Sequence, residues 1–346
     1  MGCLVVENKA DLDFPELRES SLKVIGTFVA SGDMNIVNRV IEGISQIIES
    51  ENPWHRQATV LLFSALCEYK DLHQIQSYLE RGFDAMFKLV TDKDILVVKN
   101  SLIGFITIAE FFPSHFYTHA NINTITYTLL ELMSSNDSRI IESSLNVIRY
   151  ITEGLVQNKN DQSPLASEPS ILLQPMVSYF NNQLENFEKE KEKDNREKAV
   201  IIIMNCLMKS KDRKIASHLI TFLMDRYHEV CNYNHLDREM MIESILAIMH
   251  TAILALEGSM INQGLQEQIF HLISFHMSKF GIEAEGLNII SSIAIVYSTS
   301  LRNNIDEYWN YILHGTESIH NHKTFKAALH CAGDFGRTYK EKLFDK

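Results

Sequence analysis

Dense apolar runs of helical length recur along the chain, and each is entered through a short polar or acidic group. Pro53-Trp54-His55-Arg56-Gln57-Ala58 opens into VLLFSAL, and the segment from Asp94 to Lys99 opens into SLIGFITIAEFFP. Further copies begin at Asp137-Ser138-Arg139, Asp194-Asn195-Arg196, Asp237-Arg238-Glu239, Glu283-Ala284-Glu285 and His322-Lys323-Thr324. Between them lies a second set of segments whose apolar residues step by three and four. Examples are Ile36, Val37, Val40, Ile41, Ile44, Ile47 and Ile48, then Leu79, Phe83, Met86, Phe87 and Val90, and later Leu219, Phe222, Leu223, Tyr227 and Val230. That spacing puts them on one stripe of a helix with about 3.6 residues per turn.

Successive copies start about 40, 43, 57, 43, 46 and 39 residues apart. A period of about 40–47 residues holding two helices is that of HEAT or armadillo units. A single helix pair cannot bury its apolar faces, so neighbours must stack. The expected fold is therefore all-α, an α-α superhelix (a HEAT/armadillo-like solenoid) of about seven and a half helix pairs. The one long step holds two insertions, a polar Pro/Ser-containing loop at about 157–170 and a charge-alternating stretch at about 185–196. The pattern resumes after each, which predicts one continuous solenoid over residues 1–346 rather than two or three domains.

Composition supports helices. Only 6 Pro and 14 Gly occur, where average usage would give roughly 17 and 24. The formal net charge of −12 repels phosphate and attracts Lys/Arg-rich segments, so basic protein partners are expected and nucleic acid is not. No apolar run reaches the ~18 residues of a membrane span, so neither a membrane nor a secretory role is expected. The five cysteines show no C-x-x-C spacing and read as buried thiols. Four histidines near the C-terminus, His314, His320, His322 and His330, fall on a helix end, a loop and the next helix, which does not suit a metal site. There is no G-x-x-x-x-G-K-S/T loop, G-x-S-x-G elbow or H-E-x-x-H helix. Neither catalysis nor a cofactor is expected.

Several of these units resemble the importin-β (karyopherin-β) family. Pro53-Trp54-x-Arg56-x-Ala58 followed by Phe63 and Cys67-Glu68 is similar to a helix in the middle of that receptor, and Val97-Val98-Lys99 through Ile108-x-Glu110-x-x-Pro113 resembles the next unit. Arg139 to Glu153 looks like the unit after that, and Ala328-Leu329-x-x-Ala332-Gly333-Asp334-Phe335-x-Arg337 like a stretch further along. The resemblance implies a central portion of such a receptor, from a second helix at Pro15 to Ser31 to a second helix ending near Leu343. The chain would then be either a fragment or a short diverged relative. It also implies non-catalytic nucleocytoplasmic transport between cytoplasm and nucleus through the pore. The implied partners are basic cargo or an importin-α-type adaptor, Ran-GTP and phenylalanine-glycine nucleoporins.

In that family, acidic residues on second helices take Lys and Arg. The corresponding partner-binding positions here are Trp54, Glu142, Glu197, Glu239, Glu243 and Glu285, although the place of Trp54 at the start of a second helix favours packing between repeats. One departure concerns the family's tryptophans on two successive second helices, whose places here fall at about Gly104 and at Asn146. A general HEAT scaffold unrelated to transport is the alternative reading. An α-helical enzyme is a third, and it predicts a deep pocket of convergent titratable groups.

Overall fold

The computed structural model describes residues 34–68, 72–157, 165, 169–185, 193–210, 212–233, 237–256, 263–281, 283–296 and 305–343, together with Ser20, Val24, Ile25 and Thr27. Among these residues there are helices, turns and no strands. The chain divides into two compact units, Met1–Glu168 and Pro169–Lys346, and the division falls inside the stretch read above as the polar insertion.

In the first unit the helices are α1 (Met34–Ile47), α2 (Pro53–Glu68), α3 (Leu72–Leu89), α4 (Ile95–Phe111), α5 (Pro113–Thr118), α6 (Ile122–Leu132) and α7 (Ser138–Gln157). They pack as three pairs, α1 with α2, α3 with α4 and α6 with α7, while α2, α4 and α7 also pack on one another in series. The second unit holds α8 (Ser170–Glu185), α9 (Lys193–Ser210), α10 (Arg213–Val230), α11 (Arg238–Ala255), α12 (Gln263–Phe280), α13 (Ala284–Val296), α14 (Ile305–Glu317) and α15 (His322–Leu343). These form four pairs, and α9, α11, α13 and α15 pack in series. The expected half pair at Pro15 to Ser31 lies mostly outside the described residues. Within it Ser20, Val24, Ile25 and Thr27 are helical, and Ile25 packs against Ala58, Leu62, Val37 and Leu66.

The two apolar patterns follow from these positions. A second helix touches its own first helix and the second helices on either side, so it is buried round most of its circumference. In α4 the buried residues are Val97, Val98, Ser101, Leu102, Gly104, Phe105, Thr107, Ile108 and Ala109. A first helix buries one stripe only, as in α12 with Leu265, Ile269, Leu272, Ile273, His276 and Met277. Each fully buried Leu, Ile or Phe contributes about 1.5–3 kcal/mol.

At two of the second helices the acid before the helix is a cap. Asp94 accepts from the amides of Leu96 and Val97 at 2.9 and 3.2 Å, and Asp137 accepts from that of Arg139 at 2.9 Å. Each satisfies a helix-end amide that has no partner inside the helix, worth about 1 kcal/mol.

Pro175 lies inside α8, past its first turn, so α8 gives up the amide bond that position 175 would make to the Ile171 carbonyl. Two details differ from the sequence reading. The helix after the charged insertion begins at Lys193, not Asp194, while 186–192 lie outside the described residues. Gly104, the place of a lost surface tryptophan, faces the core instead, where an added Cβ would meet Met86 Sδ and Val60. The neighbouring outward position is Ile103, 43% exposed.

Candidate functional site

Near the N-termini of consecutive second helices within a unit, side chains of opposite charge lie within electrostatic reach of one another. Arg56 on α2 donates from Nε and Nη2 to both oxygens of Asp92, in the turn before α4, at 2.6 and 2.8 Å. Its Nη1 donates to the carbonyls of Ser50 and Glu51. Asp137, before α7, is held below its ordinary pKa chiefly by its hydrogen bonds from Arg139 at the start of α7 itself, with a smaller contribution from the charge of Lys99 on α4. In the second unit burial lowers the pKa of Arg196 on α9, and the charges of Asp237, before α11, and of Glu197 offset part of that. At each of these rungs the base lies on the earlier helix and the acid in the later turn; Arg56 and Asp92 are bonded directly, while the other two pairs are seen through their charges.

The next rung breaks the rule. The turn before α13 still supplies an acid, Glu283, but α11 offers Glu239 and Glu243 where a base would stand. These two are four residues apart on one helical face, where like charges repel. Burial raises the pKa of Glu283, and the charges of Glu285, Glu239 and Glu243 raise it further. The compensating cation comes from the following helix. Lys323, in the first turn of α15, reaches Glu285 Oε1 at 2.6 Å and Glu243 Oε1 at 3.2 Å. Burial lowers the pKa of Lys323, but the bonds and charges of Glu285 and Glu243 outweigh that and hold it above its ordinary value. Arg238 lies instead over the ring of Phe280, at 5.7 Å, and Lys279 donates to the Cys231 carbonyl at 3.2 Å. Lys323 thus bonds two carboxylates, Glu285 and Glu243, its charge also acts on Glu283, and Glu239 adds a further negative charge beside them.

The floor beside this cluster is neutral and buried. His276 on α12 is 1% exposed, its Nδ1 is hydrogen-bonded with the Tyr227 hydroxyl of α10 at 2.9 Å, and its Nε2 faces Glu283 Oε2 at 3.6 Å. Burial pushes the imidazole pKa down to about 4, so the ring is uncharged at neutral pH.

Of the six residues singled out in the sequence, the structure brings Glu239, Glu243 and Glu285 together. Glu197 is exposed just past the first turn of α9, where its charge acts on Arg196. Trp54 and Glu142 belong to the first unit, Trp54 half-buried in the first turn of α2 and Glu142 exposed on α7. Sequence reasoning missed Glu283 and Lys323 as members of the group. Both were visible as the opening residues of their repeats, but which charges face each other depends on the register between helices 40 or so residues apart.

Two apolar grooves lie between neighbouring first helices. One of about 340 Å³ separates α8 from α10 and is lined by Leu173, Val177, Ile215, Leu219 and Phe222. The other, about 330 Å³, lies between α1 and α3 over Ile41, Ile44, Phe63 and Leu66. Among the described residues no group of three or more His, Cys, Asp or Glu side chains is placed to hold a metal, and no helix is long and apolar enough to cross a membrane. Cys67, Cys206, Cys231 and Cys331 are buried, as expected, and burial alone pushes the Cys206 thiol up to about 12.

No protein-family model and no curated protein matches the chain in sequence. Solved structures do match in three dimensions. Yeast importin-β (Kap95p) covers 99% of this chain with 40% of its own length, at 16% identity and a TM-score of 0.76. A chain of the solved Kap95:Nup1 complex matches with the same coverage and identity at a TM-score of 0.75. An importin-β crystallised in ammonium sulfate matches 99% of this chain with 41% of its own, at 13% identity and a TM-score of 0.76. The chain therefore has the HEAT-repeat fold of importin-β, over about two fifths of the length of the importin-β structures it matches.

Proposed function

We propose that the chain is a non-catalytic binding portion of an importin-β-like transport receptor, and that its second unit takes a Lys/Arg-rich protein segment on Glu239, Glu243, Glu283 and Glu285. The observation that carries this reading is the broken rung. At the other junctions described above a base of the earlier helix acts on the acid of the later turn, whereas here Glu239, Glu243 and Glu285 all act on Glu283 and Lys323 pairs with two of the four. Such an excess lowers the energy of an arriving ammonium or guanidinium and steers it by long-range attraction. Glu142 in the first unit and Glu197 in the second, each exposed on a second helix, are further acidic positions for the same kind of partner.

The grooves between α8 and α10 and between α1 and α3 are apolar clefts of a size for aromatic side chains. On this reading they are where phenylalanine-glycine segments of nucleoporins insert. One solved neighbour is Kap95 in complex with Nup1, and another is described as Kap95p bound to RanGDP. A shuttling role between cytoplasm and nucleus, with Ran-GTP and an importin-α-type adaptor or basic cargo as partners, follows by analogy with them.

Anisotropy titration of a fluorescein-labelled hexalysine peptide tests the charge reading. Glu243→Gln with Glu285→Gln should weaken binding by about fivefold at low salt, since ion pairs to an exposed peptide amine are worth up to about 1 kcal/mol each. The difference should fade as salt rises. Equal affinity in the wild type and the double variant would refute the site. Failure to retain Ran-GTP, an importin-α-type adaptor and phenylalanine-glycine repeats in pull-downs would refute the transport role.

A further inference from the structure

Lys323 occupies an unfavourable place for its own helix. It stands in the first turn of α15, at the positive pole of the helix dipole, and that turn carries no acidic residue. Its position is explained by the carboxylates of two other helices. Glu285 is nearly buried, with a side chain 11% exposed, and fixes one end of the contact. Glu243 and Lys323 are 48% and 59% exposed and free to rearrange.

We propose that Lys323 is a built-in competitor. It fills from within the chain the ammonium position that a lysine of a basic partner takes, and partner binding displaces it. The proposal rests on the reading of this cluster as a seat for basic segments.

The site is more than a group of acids. Its occupant is already an amine, held by oxygens from α11 and α13 at 3.2 and 2.6 Å. At its inner edge the buried His276 leaves Nε2 without a hydrogen-bond partner, aimed at Glu283 across 3.6 Å. One lysine therefore leaves the cluster incompletely paired. Half-exposed ion pairs are weak and exchange readily, so a partner with several cations outcompetes a single tethered one.

The test uses the full chain and the hexalysine peptide at low salt, comparing wild type with Lys323→Gln and Lys326→Gln. Lys326 is exposed one turn further along α15, so its replacement changes the net charge equally without touching Glu243 or Glu285. Removal of the competitor should tighten binding by about two- to fivefold, with less than about 1.5-fold change for Lys326→Gln. Equal tightening in both variants would reduce the effect to bulk charge. Weaker binding by Lys323→Gln would make Lys323 purely structural. Either result overturns the competitor while leaving the acidic seat standing. Absence of binding by all three proteins would instead overturn the seat itself, and the competitor with it. Should Lys323→Gln unfold, Lys323→Met keeps the aliphatic stem and serves the same comparison.

Discussion

Replacing Asp92 by alanine removes the acceptor of two Arg56 hydrogen bonds, at 2.6 and 2.8 Å, and strands a guanidinium whose side chain is 9% exposed. Arg56 cannot swing into water without also giving up the carbonyls of Ser50 and Glu51, bonded at 2.7 and 3.0 Å. Breaking a buried pair from one side costs about 3–5 kcal/mol. The retained carbonyl bonds offset part of that, while loss of the Asp94 amide bond to Asp92, at 2.8 Å, adds about 1 kcal/mol. The expected destabilisation is about 3–4 kcal/mol in urea unfolding followed by far-UV circular dichroism. The double change Arg56→Met with Asp92→Ala removes the stranded charge and should cost less than the single one, about 1–2 kcal/mol. A single-variant cost below about 1 kcal/mol, or a double variant worse than the single, would refute the claim that this rung holds α2 to α4. The rung also titrates. Burial pushes the Asp92 carboxyl up, but the bonds from Arg56 and the Asp94 amide outweigh it and hold the group below its ordinary value. Its contribution is therefore complete above about pH 4 and is lost as pH falls through the lowered folded-state value.

His276 should make the second unit acid-sensitive: with a folded pKa of about 4 against an ordinary 6.5, stability complete above about pH 6.5 falls by about 2 kcal/mol at pH 5. Urea midpoints of the wild type and His276→Gln at both pH values check this, and an identical pH dependence in the two would contradict it. Two glycines should respond in opposite directions to alanine. At Gly82 the new Cβ would lie 1.8 Å from the buried Phe63 ring, so Gly82→Ala should destabilise by about 1–3 kcal/mol despite better helix propensity. Gly333 has nothing within 4 Å, so Gly333→Ala should stabilise by about 0.5–1 kcal/mol. The same urea assay reads both, and a gain in stability at Gly82 would show the α2–α3 contact to be loose.

Much of the architecture was legible because it is local. The Asp94 and Asp137 caps bond amides two and three residues away, so the sequence shows them directly. The stripe of α10, Leu219, Leu223, Tyr227 and Val230, is buried as its spacing demands. Phe222 escapes that stripe and lines a groove instead, because an adjacent first helix covers only part of its face. Ile103 and Gly104 show where a reading by resemblance slips: one residue along a helix turns a side chain by about 100°, from surface to core.

The sequence by itself determined that the chain is all helical, where each second helix begins, and that acidic side chains gather at those starts. These follow from periodicity, capping and composition, each set by neighbours within a few residues. Only the tertiary structure decided which charges meet. Arg56 finds Asp92 and Lys323 finds Glu243 and Glu285 because stacking brings together helix starts that are a whole repeat or more apart in sequence. The same stacking leaves Glu239, Glu243, Glu283 and Glu285 with a single lysine among them. Electrostatic energy falls off over a few ångströms of space and takes no account of distance along the chain. The acidic letters could be read from the sequence, but their imbalance could not.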